Sequence, residues 1–259
     1  MEPRSNMNRI ADYILTRLLF QPVKLAVDYA FQFDAPFQEL WFDTPDGQRL
    51  NALFFPTSAP TKRGVVLYFH GNRDNLQRWG AMHRVFTENG YDFMVPDYRG
   101  YGKSSGAPDE KYLFADALLM YNWLRADYQP DDIILFGRSL GSGMASYLAA
   151  HEAARMLILE TPFDTIRGMV ASHIRRTDVP IRFGQIFPNH SHVQAAKMPV
   201  LIFHGTRDRV VPYLSAIKLK ECLKPGDLFI TIQGGSHNNL DQYPEYREIL
   251  LEWLLKREG

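Results

Sequence analysis

Gly137-Arg138-Ser139-Leu140-Gly141 is the stretch of this chain whose residue types and spacing point most directly to chemistry. It follows the apolar run Ile133-Ile134-Leu135-Phe136 and precedes small and apolar residues suited to a helix. A serine flanked this way predicts a sharp strand-to-helix turn, because side chains two positions either side would strike neighbouring backbone. The turn pushes the hydroxyl clear of the sheet and toward the positive end of the next helix. A serine hydroxyl is a weak nucleophile at neutral pH. It needs a histidine to take its proton and a carboxylate to orient that histidine.

His237 is the best base. It lies in Gln233-Gly234-Gly235-Ser236-His237-Asn238, a glycine-containing loop after the last apolar run. Asp208 is the best acid, in His204-Gly205-Thr206-Arg207-Asp208 after the preceding run. The order Ser139, Asp208, His237 is the one expected when all three sit beyond the carboxyl ends of parallel strands. Asp164, in Thr161-Pro162-Phe163-Asp164, competes for the acid's role. Acyl transfer also needs donors for an oxyanion. The backbone N–H of Leu140 supplies one, and that of Asn72, in His70-Gly71-Asn72-Arg73, is expected to supply the other. His70 and His204 end apolar runs and read as buried structural histidines.

Other motifs carry less. Residues 97–106 (Asp97-Tyr98-Arg99-Gly100-Tyr101-Gly102 and onward) lack the spacing of a phosphate-binding loop. They read as structure at the rim of the site, with Tyr98 and Tyr101 as candidates to line it. His190-Ser191-His192 comes without a second metal-binding signature and reads as a polar loop, so no metal and no cofactor is expected.

The elements that must hold these groups are readable from periodicity. Residues 36–44 and 49–55 form a hairpin about Thr44-Pro45-Asp46-Gly47. Apolar runs at 65–69, 91–96, 133–136, 156–159, 201–204 and 228–232 read as strands. Helical segments fall at 75–88, 110–128, 140–151, 166–175, 212–223 and 241–256. Strands alternating with helices imply an α/β fold, a mostly parallel sheet wound on both faces. Residues 36–259 make one domain, with 161–198 as a short cap carrying Phe183, Phe187 and Pro188. Residues 1–35 form an N-terminal extension in which Ile10, Ile14 and Leu18 share a helical face. That helix either packs on the domain or makes peripheral contact with a membrane surface.

Length and composition bound the function. The chain has 259 residues, 46% hydrophobic, with formal net charge zero. One large α/β domain accommodates it. Without clustered Lys and Arg no nucleic-acid partner is expected. The single cysteine, Cys222, excludes an internal disulfide and suits a reducing, cytoplasmic setting. No uninterrupted apolar run reaches membrane-spanning length.

Taken together, His70-Gly71-Asn72, the Asp97–Gly102 stretch, the serine turn, His204-Gly205-Thr206-Arg207-Asp208 and Gly235-Ser236-His237-Asn238 resemble the α/β-hydrolase superfamily. Within it, the His70-Gly71-Asn72 loop, the Asp97–Gly102 stretch and the His204–Asp208 stretch look most like the BEM46-like serine hydrolases, which include ABHD17-type depalmitoylases. The resemblance implies an eight-stranded sheet and a metal-independent ester or thioester hydrolase. It departs from the depalmitoylases in having no cysteine ahead of Cys222. The small cap suggests esters with short to medium acyl chains, thioesters or monoacylglycerols. A serine peptidase or amidase on the same site stays open. So does a non-catalytic, membrane-associated binding protein that keeps the fold.

Overall fold

The computed structural model describes residues 20–174 and 187–256. The expected N-terminal helix, and the part of the cap that contains Phe183, lie outside these residues. Eight strands form the main sheet: β1 (Gln38–Asp43), β2 (Arg49–Phe55), β3 (Gly64–Phe69), β4 (Tyr91–Pro96), β5 (Ile133–Arg138), β6 (Met156–Glu160), β7 (Val200–Gly205) and β8 (Leu228–Ile232). Their spatial order is β8-β7-β6-β5-β3-β4-β2-β1. Only β2 runs against its neighbours, pairing antiparallel with both β1 and β4. All other pairs are parallel.

The order places β3 and β5 side by side, in register from Val65↔Ile133 to Phe69↔Gly137. The loops that leave their carboxyl ends, Gly71-Asn72 and Ser139-Leu140, are therefore neighbours. Strand order reverses at this pair, which is where open α/β sheets leave a crevice.

The helices are α1 (Leu76–Trp79), α2 (His83–Thr87), α3 (Glu110–Leu124), α4 (Gly141–His151), α5 (Ile166–Ile174), α6 (Asn189–Ala195), α7 (Tyr213–Ala216) and α8 (Pro244–Leu255). Successive side chains of a strand point to opposite faces, so the continuous apolar runs feed two cores. Val65, Leu67, Phe69, Ile133 and Leu135 pack with residues of α3, α4 and α6. Val66, Tyr68, Ile134 and Phe136 pack with residues of α1, α2 and α8. The expected 75–88 helix is split by a 3-10 turn at Gly80–Met82, and the 212–223 helix becomes 3-10 over Ile217–Cys222.

The expected polar loop at His190-Ser191-His192 is instead helix α6. Its residue types have modest helix propensity, and packing overrides them. Asn189 is fully buried and donates to the Ser142 hydroxyl (2.9 Å) and the Phe163 carbonyl (3.0 Å), while Val193 enters the core. His192 lies edge-on to Phe114 and Tyr147, and burial pushes its pKa down to about 4. Among the described residues no cluster of His, Cys, Asp and Glu could hold a metal, and no helix is long and apolar enough to cross a membrane.

Residues 20–35 run along the domain without a helix. Gln21–Pro22 pairs in parallel with Arg73–Asp74, and Lys24 bridges to Gly102. This arm thus touches the loop that carries Asn72 and the loop after β4.

Candidate active site

Ser139 sits between the last residue of β5 and the first turn of α4, with φ +51. A non-glycine residue in that region is strained, and the surroundings hold it there. Its N–H donates to the Glu160 carbonyl (2.9 Å), and its own carbonyl accepts from the Ser142 hydroxyl (2.6 Å). The glycines of the motif are needed for close approach rather than for φ. A Cβ on Gly141 would lie 1.9 Å from the Phe69 carbonyl oxygen, and one on Gly137 would lie 2.7 Å from the Ala145 Cβ. Strand β3 and helix α4 therefore close onto the turn only if both positions lack a side chain.

The structure brings the three sequence-predicted side chains together. His237 Nε2 lies 3.0 Å from Ser139 Oγ, and His237 Nδ1 lies 2.7 Å from Asp208 Oδ2. A neutral ring donates Nδ1–H to the carboxylate and leaves the Nε2 lone pair facing the serine hydroxyl. Asp208 is buried, and its other oxygen accepts the N–H groups of Val210 (2.8 Å) and Val211 (2.9 Å). The carboxylate is thus fixed on both oxygens. Asp164 is held elsewhere: its oxygens accept from the Ser215 hydroxyl and from Lys218 Nζ.

The two other histidines near the site are buried, in keeping with a structural role. His204 donates from Nε2 to the Val211 carbonyl (3.0 Å), and burial lowers its pKa. Its neutral ring backs Asp208 without adding charge. His70 stacks on Tyr98 with ring centroids 4.2 Å apart, and its Nε2 lies 3.3 Å from Asp97 Oδ1. Tyr98 and Tyr101, candidates to line the pocket, are both buried and act as props instead. The Tyr98 hydroxyl donates to the His70 carbonyl (2.6 Å). The Tyr101 hydroxyl donates to Asn72 Oδ1 (2.7 Å), which also accepts the Gln21 N–H (3.0 Å). A Cβ on Gly71 would stand 3.9 Å from that of Ser139, so this loop lies directly beside the serine. Leu140 occupies the N-cap position of α4.

Comparison with known proteins bears on the family and the fold. Residues 64–185 match the profile described as the alpha/beta hydrolase fold. Alpha/beta hydrolase domain-containing protein 17C of Xenopus tropicalis is 30% identical over 214 residues, covering 82% of this chain and 67% of that protein. The chain belongs to the α/β-hydrolase superfamily. Lysophosphatidylserine lipase ABHD12 of Macaca fascicularis is 29% identical over 251 residues, and the match spans 85% of this chain but only 62% of the lipase. Among solved structures, an esterase of Pyrococcus furiosus superposes with TM-score 0.70 at 16% identity, covering 91% of this chain and 97% of that one. The esterase domain of a Rhodothermus marinus protein gives TM-score 0.64 at 20% identity, covering 84% and 97%. These two likenesses bear on the fold.

One part of this α/β-hydrolase site escaped the sequence reading. Arg138, the variable residue of the serine motif, is nearly buried, and its Nη1 lies 3.1 Å from Glu160 Oε1. Its Nη2 donates to the His237 carbonyl (3.1 Å) and to Asn238 Oδ1 (3.1 Å). Tyr246, from α8, donates to the second Glu160 oxygen (2.7 Å). The residue next to the serine therefore holds the backbone of the histidine loop from beneath. An arginine ending an otherwise apolar strand is the signal that could have exposed it.

Proposed function

We propose that this protein is a serine hydrolase that cleaves carboxylic esters through an acyl-enzyme. The observation that carries this reading is the continuous chain from Asp208 through His237 to Ser139, at 2.7 and 3.0 Å. Ser139 attacks the ester carbonyl while His237 Nε2 takes its proton. Asp208 holds the ring and stabilises the imidazolium. The backbone N–H groups of Asn72 and Leu140 receive the oxyanion. His237 then gives its proton to the leaving alcohol, and water repeats the cycle on the acyl-enzyme. No cofactor enters this scheme.

The substrate class proposed is a short- to medium-chain acyl ester, with monoacylglycerols and thioesters as variants of the same chemistry. The likeness to a lysophosphatidylserine lipase supports a lipid ester. Val210 and Leu214, beside the Asp208 turn, are 52% and 67% exposed, giving the rim apolar surface suited to an acyl chain or a lipid interface. Peripheral membrane contact through the N-terminal segment and a cytoplasmic location belong to the same proposal.

The test is covalent labelling by a fluorophosphonate, followed by hydrolysis of p-nitrophenyl esters of increasing chain length. Labelling that vanishes in Ser139→Ala, with a chain-length optimum in the wild type, is the expected outcome. A folded wild-type protein that takes no label overturns the scheme. Cleavage of anilides faster than esters would move the assignment to an amidase.

A further inference from the structure

Arg138 ends β5 in register with Glu160, the last residue of β6. Residues in register on adjacent strands project to the same face of a sheet, so the two side chains leave together. That face is the one that α1, α2 and α8 cover, since Ile134, Phe136 and Ile158 lie on it. Two apolar strands therefore finish on a nearly buried ion pair, Nη1 to Oε1 at 3.1 Å. Such a pair costs desolvation, and apolar residues of similar volume would serve stability as well. Its presence calls for a reason other than stability.

The pair is anchored on one side and reaches two loops on the other. Glu160 accepts the Tyr246 hydroxyl (2.7 Å) on its second oxygen, and its backbone carbonyl accepts the Ser139 N–H (2.9 Å). Arg138 Nη2 donates to the His237 carbonyl and to Asn238 Oδ1, both at 3.1 Å. The Arg138 Cζ also lies 5.4 Å from the centre of the Trp79 ring, within cation–π range.

Trp79 in turn supports the loop after β3. Its indole N–H donates to the Arg73 carbonyl (2.7 Å), and His70 stacks on it with ring centroids 5.6 Å apart. A Cβ on Gly71 would stand 3.3 Å from the indole. This is the loop that carries the Asn72 N–H. The planar guanidinium makes all these contacts at once, which a lysine ammonium on a flexible stem does not.

We propose that Arg138 is a positioning residue for acyl transfer, holding the His237 loop directly and the Asn72 loop through Trp79. This rests on the ester-hydrolase reading given above. Arg138 acts through its neighbours, not on the substrate. Two demands of the reaction then depend on one ion: a base aligned with Ser139 Oγ and a donor for the oxyanion. Both demands fall on the transition state, so loss of the guanidinium lowers kcat and leaves KM.

Hydrolysis of p-nitrophenyl butyrate by wild type, Arg138→Lys and the double variant Arg138→Gln with Glu160→Gln tests the proposal. Lysine keeps a charge opposite Glu160, and the double variant leaves no buried ion unpaired. Both should melt near the wild-type midpoint, and either carries the test if the other does not fold. In both, kcat should fall about ten- to a hundredfold with KM within about twofold. The rate of fluorophosphonate labelling should fall in parallel. Trp79→Phe, which keeps a ring but loses the N–H on Arg73, should lower kcat less, by the same route. A folded Arg138 variant with wild-type kcat overturns the proposal, as does a loss confined to KM. Unchanged kcat in Trp79→Phe overturns the link to the Asn72 loop. Wild-type protein that takes no label overturns the ester-hydrolase reading itself, whereas labelled wild type with undiminished variants overturns only the role of Arg138.

Discussion

At the scale of single residues, the identity of the acid is the sharpest question, because two aspartates follow neighbouring strands. Asp208 meets His237 at 2.7 Å, whereas Asp164 is occupied by Ser215 and Lys218. Replacing Asp208 with Asn keeps the shape but removes the charge that stabilises the imidazolium. Esterase kcat should fall by about three to four orders of magnitude. Asp164→Asn should leave kcat within about threefold of wild type, since its loss falls on a peripheral ion pair. Steady-state kinetics of the two variants decide it; the opposite ranking would reassign the acid. Three of these groups were legible from type and position alone, because Ser139, Asp208 and His237 each follow an apolar run with a glycine beside them. Arg138 was not legible, since nothing local to the motif says that its guanidinium reaches a loop 99 residues away.

At the scale of elements, the loop after β3 owes its shape to parts distant in sequence. Asn72 Oδ1 accepts from Tyr101, in the loop after β4, and from Gln21, in the N-terminal arm. If the Asn72 N–H receives the oxyanion, its placement depends on these props. Tyr101→Phe removes one hydrogen bond and retains the buried ring. The expected result is a kcat lowered about two- to tenfold with KM nearly unchanged, corresponding to about 0.5–1.5 kcal/mol. An equal rise in KM would place the effect on substrate binding instead. The helices show where pattern reading stops. Helix α3 is amphipathic and was readable, with Leu113, Ala117, Tyr121 and Leu124 all buried. Helix α6 was not, because its polar residues Asn189 and His192 are drawn into helical form by partners on α4 and the β6 loop.

At the scale of the whole molecule, burial of neutral histidines couples stability to pH. Burial lowers the pKa of His83, His192 and His204, with His192 brought down to about 4. The unfolded chain takes up protons on these rings near pH ~6.5, while the native state does not. The unfolded state therefore binds more protons as pH falls, and stability declines in acid. The contribution is fully present above pH ~6.5 and is lost progressively toward the folded-state values, about 4 for His192. Urea midpoints measured at pH 7.5 and 4.5 should drop in acid, and His192→Gln should drop less. A midpoint that does not move with pH would show that these rings are protonated in place.

The same scale separates what the chain alone determined from what only its folding decided. Sequence determined the α/β alternation, the eight strands and the serine turn. Those depend on local periodicity and on glycine at fixed offsets, and both are written within a few residues. Tertiary structure decided which aspartate meets His237, which tyrosines support the Asn72 loop and how Arg138 ties β5 to the His237 loop. It also decided that α1–α2 and α8 leave a cavity between them. Those outcomes depend on strand order and on helix packing across the sheet. Side chains far apart in the chain meet there only because β3 and β5 were made neighbours.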